Sequence, residues 1–174
     1  MYELLLYSPL ILAGSVLLFR RAGWNRILLI SWPLVQTAGW ILLFSGTAGH
    51  PYVLEATRQY FHADGISALF VIITGLLFIA SGLHSVHYLE GADPRRHSYY
   101  TFFLLLFIFA VNGMLLALHL GAMWVFMEAT TLAGAMLIYH ERKKHSIEAA
   151  WKYIFICSIG IAFAFIGMLF LSVA

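Results

Sequence analysis

The chain has 174 residues, 62% of them hydrophobic and only 10% charged, with a formal net charge of +2 and a mean hydropathy of +0.87. A soluble domain carries about 25% charged residues, so there is too little polar surface here for a water-exposed globule, and the solvent implied is lipid. The single cysteine, Cys157, excludes an internal disulfide or a paired-cysteine metal site and reads as a small buried hydrophobe.

A bilayer-spanning helix needs about 20 mostly apolar residues. Six stretches approach that length, at about 3–19, 27–44, 66–89, 99–118, 120–139 and 149–173. They predict an all-α membrane protein of six transmembrane helices, forming a single transmembrane domain over residues 1–174. The N-terminus has no basic region ahead of its first apolar stretch. Arg20 and Arg21 follow that stretch, which reads as a retained helix and not a cleaved signal.

Ser45–Gly65 is the longest polar segment and holds His50, Pro51, Glu55, Arg58, His62 and Asp64. Asp64 is placed to cap the third helix, and Ser146, with Glu148 behind it, to cap the sixth. The link near His119–Gly121 is so short that helices four and five must be antiparallel neighbours. Arg20, Arg21, Arg26, Arg95, Arg96, Arg142, Lys143, Lys144 and Lys152 all fall at one side of the predicted spans, and Arg58 falls at the other. Cytoplasmic loops accumulate Lys and Arg, so both termini are expected on the non-cytoplasmic side.

Seven of the eight acidic residues lie in loops or at helix ends; Glu128 is the exception. It stands eleven residues before Tyr139, roughly 16 Å along the helix axis and near mid-bilayer. A charged side chain at that depth costs roughly 2.5–3.5 kcal/mol on insertion scales, so it marks a functional site. Desolvation favours the protonated form of an acid and a nearby cation favours the ionised form. A carboxyl held between the two exchanges protons. The bland alternative is a protonated Glu128 that hydrogen-bonds across helices.

Thr131, at i+3, shares the face of Glu128 and is placed to donate a hydrogen bond to it. Lys152 lies six residues past Ser146, roughly 9 Å into the last helix. It either snorkels to the surface or faces helix five below Glu128. His84 and His87, spaced i and i+3 at the end of helix three, are candidate relay stations at a channel mouth. The spacing supports no catalytic residue, no metal site, no cofactor site (quinone, flavin or haem) and no nucleic-acid patch.

The pieces HADGISALFVIITGLL, LHSVHYL, LLLFIFAVNGMLLALHLGAMWVFMEATTLAGAMLI and SIEAAWKYIFICSIGIAFAFIGMLFL resemble the antiporter-like subunits of respiratory complex I and its relatives. The likeness is strongest to the energy-converting membrane hydrogenases, the hydrogenase-4 and formate hydrogenlyase group. Met-Glu-Ala-Thr-Thr-Leu and Glu-Ala-Ala-Trp-Lys-Tyr carry most of it, and it runs from about Phe61 to the C-terminus.

The resemblance implies the first part of an antiporter-like subunit in the cell inner, energy-transducing membrane. Glu128 would match the fifth-helix glutamate of the first repeat, and Lys152 the lysine opening the sixth helix. The function implied is proton translocation coupled to redox chemistry in a complex such as an NADH-quinone oxidoreductase or a hydrogenase. Redox centres would reside in other subunits, leaving this chain a non-redox membrane subunit without a cofactor. The family's second repeat, and the lysine that pairs with the glutamate, are missing here. The expected partners are therefore other membrane subunits, including one that supplies the second half of the antiporter fold. The alternatives are a structural scaffold of such a complex, or part of a multisubunit sodium/proton antiporter.

Overall fold

The computed structural model describes residues 2–18, 22–45, 52–53, 61–91 and 93–173. Six helices run through them: α1 (Tyr2–Leu18), α2 (Ala22–Ser45), α3 (Gly65–Tyr88), α4 (Pro94–Leu116), α5 (Leu120–Ile138) and α6 (Lys144–Val173). A 3-10 turn at Tyr139–Glu141 extends α5. The last five helices are each long and apolar enough to cross a bilayer, and α1 is a shorter apolar helix. The chain is a multi-pass integral membrane protein of all-α class. Arg20, Arg21, His50, Pro51, Glu55 and Arg58 lie outside the described residues.

Some helix starts differ from those expected. Helix α4 begins at Pro94, not near Tyr99, because proline at the first helical position gives up no hydrogen bond and its ring presets φ. The polar run Arg95–Ser98 is thereby helical, although hydropathy reads it as loop. Helix α6 begins at Lys144, so Ser146 lies inside it and is not its cap. Asp64 does cap α3: its Oδ1 accepts the Ser67 N–H at 2.7 Å. That bond and the Ser67 hydroxyl hold the Asp64 carboxyl below its ordinary range. Within the polar segment, strands β1 (Tyr52–Val53) and β2 (His62–Ala63) form a two-residue antiparallel pairing, and Phe61 bridges Ala117.

Helix α4 is central, packing on α1, α5, α2 and α3, while α6 is peripheral and packs on α5 and the 3-10 turn. Two apolar clusters fill the interior. One gathers Leu6, Trp40, Leu43, Phe61, Val71 and Leu116; the other Val16, Leu28, Leu29, Leu89, Leu104, Leu105 and Ile108. Lipid tails are as apolar as leucine, so close backbone approach and not hydrophobic exclusion holds such helices together. Gly82 shows this: a Cβ there would run into the Leu29 carbonyl of α2. Gly113 does the same for α4 and α5, where the Phe126 ring occupies the space a side chain would need.

Candidate functional site: a mid-helix carboxyl and a buried polar network

Glu128 occupies the middle of α5 and is half-buried. Among the described residues no hydrogen bond or ion pair reaches its carboxyl group. Thr131 is buried on the same face, but its hydroxyl donates to the backbone carbonyl of Glu128 at 2.7 Å, not to the carboxyl. This is the back-bond that helix-interior threonines usually make.

The neighbouring helices fix what lies at that depth. Trp124 Nε1 donates to the Ile161 carbonyl at 3.2 Å, and its ring lies 4.7 Å from that of Phe165. One turn past Thr131, a Cβ at Gly134 would lie 3.1 Å from the Tyr153 hydroxyl. These two contacts set an antiparallel register in which Glu128 is level with Cys157 and Ser158 of α6. The contact of Gly113 with Phe126 likewise places the buried Asn112 of α4 within about one turn of that level.

Lys152 adjoins Tyr153 and is therefore level with Gly134, roughly 9 Å along the axis from Glu128. Its Nζ lies 2.6 Å from Glu148 Oε1, and the two side chains are 69% and 58% exposed. The structure does not bring Lys152 to Glu128. His84 and His87 are also exposed, at the far end of α3. His84 stacks on Tyr88 with ring centroids 6.3 Å apart, and His87 Nδ1 lies 3.1 Å from Glu90 Oε2. Neither approaches the middle of α5.

A buried polar network gathers around a histidine at the start of α4. His97 is 1% exposed; its Nε2 lies 2.8 Å from the Leu89 carbonyl, and its Nδ1 has no partner. Beside it, Asn25 Nδ2 donates to Ser98 Oγ at 3.0 Å, and Thr101 Oγ1 donates to the His97 carbonyl at 2.8 Å. Asn25 Oδ1 and Arg26 Nε are buried without partners. Nearby, Ser85 Oγ and Tyr100 OH are 2.8 Å apart, the Tyr100 and His140 rings lie 5.1 Å apart, and Tyr88 OH donates to Glu141 Oε1 at 2.8 Å. Buried polar atoms without partners are costly and mark places where water enters. The signal for this network was Asp93-Pro94, which starts α4 early enough to carry His97 inside the bundle. Among the described residues, no group of three or more His, Cys, Asp or Glu is arranged to hold a metal ion.

No protein-family model matches the chain. It is similar to a hydrogenase-4 component F homolog of Methylacidiphilum infernorum (isolate V4), at 27% identity over 169 residues. The match covers 89% of this chain and 35% of that protein, so the chain spans about a third of the curated relative's length.

Proposed function

We propose that this chain belongs to the complex I and membrane hydrogenase superfamily and is a non-redox membrane subunit that contributes to proton translocation in a complex I-like or hydrogenase-type assembly. The observation that carries the reading is Glu128, a half-buried carboxyl in the middle of a spanning helix with no partner among the described residues. An acid that costs this much to keep in oil has a use for its proton. Buried Asn112 and Thr131, with Ser158, lie near its level in the bundle and are groups that can order water. A cation brought near Glu128 favours its ionised form and expels its proton to water; Lys152 supplies that cation once it parts from Glu148, or a second subunit supplies it.

The proton enters or leaves at the end of the bundle that carries His84, His87, His97 and His140. Of these, His97 has the buried environment that a relay needs, and His84 and His87 stand outside it at the mouth.

The Lys152–Glu148 pair favours a second reading. If that pair is permanent, the chain is a scaffold, and Glu128 is a protonated packing group. A third possibility, exchange of sodium for protons, shares the same site. Proton uptake by vesicles containing the reconstituted complex separates the three. Translocation predicts that Glu128→Gln lowers uptake while the complex still assembles, and that uptake is independent of sodium. A silent Glu128→Gln indicates the scaffold, and sodium-dependent uptake indicates the exchanger.

A further inference from the structure

We infer that the basic end of α4 and α5 forms a binding site for one anionic phospholipid, with its phosphate among Arg95, Arg96 and Arg142 and its acyl chain in the slot below. A cavity of about 750 Å3 opens there, lined by the three arginines, Tyr99, Pro94 and a single acid, Asp93. A second cavity of about 190 Å3 shares Arg96, Tyr99 and Arg142 with it and continues past Tyr100, Phe103, Met136, Tyr139 and His140. A charged chamber thus opens onto a more apolar, largely aromatic one, in the order of a phospholipid's own parts.

All three arginines are exposed, and two of them are held in place. Arg142 adopts a left-handed backbone conformation, φ 53°, and its N–H bonds back to the Tyr139 carbonyl at 2.9 Å. That turn sends its guanidinium across to α4, 6.0 Å from the centroid of the Tyr99 ring. Arg96 is tethered by Nη2 donating to the Glu141 carbonyl at 3.3 Å. That uses one of the five N–H donors of a guanidinium, and the fork geometry of the rest suits phosphate oxygens. Three cations against one carboxylate favour an anion and repel the choline of a neutral lipid. Their place at helix ends, with an aromatic ring between them, is the depth of lipid headgroups. Free phosphate would fill the charged chamber and leave the apolar one empty, so the occupant argued for is a lipid.

The test is native mass spectrometry of the purified complex in detergent supplemented with phosphatidylglycerol or phosphatidylcholine. Phosphatidylglycerol should be retained in preference to phosphatidylcholine. Arg96→Gln and Arg142→Gln should each lower its retention about fivefold. Lys143→Gln removes an equal charge at the same end, but its ammonium sits 2.8 Å from Glu141 Oε2, outside both cavities. That variant should retain the lipid. Equal retention of the two lipids by the unaltered complex would overturn the site, even if the arginine variants proved unstable. A loss in Lys143→Gln as large as in the arginine variants would reduce it to diffuse surface charge. Displacement of phosphatidylglycerol by inorganic phosphate would replace the lipid with a free anion.

Discussion

Lys152 Nζ and Glu148 Oε1 lie 2.6 Å apart, one turn from each other on α6, so the lysine expected to modulate Glu128 is paired with an acid on its own helix. Both side chains are more than half exposed, and an exposed pair of this kind is weak and screened by salt. It can therefore act as a parking place that Lys152 leaves and regains.

Glu148→Gln separates parking from structure. The variant should unfold at the same temperature as the parent chain, because the pair contributes little to stability. It should transport protons faster, because Lys152 is released. A slower rate with an unchanged unfolding midpoint would mean that Glu148 itself belongs to the path.

Buried His97 makes the opposite prediction for stability. His97→Ala leaves the Leu89 carbonyl without its 2.8 Å partner inside the bundle. An unpaired buried acceptor costs about 1–3 kcal/mol, which denaturant unfolding in detergent would detect. Ser146→Ala, at a position inside α6 and not at its cap, should be close to neutral in the same assay.

The close crossing of α2 and α3 is tested by Gly82→Ala. The added methyl meets the Leu29 backbone carbonyl, which cannot rotate away as a side chain would. Overpacking of this kind typically costs about 1–3 kcal/mol. The same substitution at Gly14, where among the described residues nothing from another helix lies within 4 Å of the added carbon, should cost far less. Loss of a helix glycine is then even mildly favourable by propensity.

Asp64 gives a pH dependence whose sign follows from its cap. Hydrogen bonds from Ser67 hold the folded carboxyl below its ordinary value of 3.8. The ionised cap thus stabilises α3 at all pH values above that range, and the contribution fades as pH falls through the lower, folded value. Asp64→Asn keeps a capping oxygen and should remove this acid-side loss. Asp64→Ala should cost about 1 kcal/mol at neutral pH. Unfolding midpoints measured between pH 3 and pH 7 would check both.

Much of this molecule was legible before its coordinates. Lipid as solvent reduces the problem to finding apolar runs, and the runs over Gly65–Tyr88 and Leu120–Ile138 are bounded by Asp64 on one side and by the short His119 link on the other. The depth of Glu128 followed from its place in that second run. The facing of side chains was not legible, because helices apolar around their whole circumference carry no stripe to orient them. That is why the sequence leaves Lys152 facing either α5 or the surface, and why it places the Thr131 hydroxyl within reach of the carboxyl without showing that the backbone takes it. His97 was missed for another reason. Hydropathy ends a helix where charges begin, whereas Pro94 had already begun one.

The central claim is that Glu128 exchanges its proton during turnover. Infrared difference spectroscopy of the reconstituted complex, resting against working, reads this at the carboxyl C=O stretch. The account predicts a band that appears or vanishes with turnover and is missing from the Glu128→Gln difference spectrum. Identical difference spectra for the parent and Glu128→Gln complexes would contradict it.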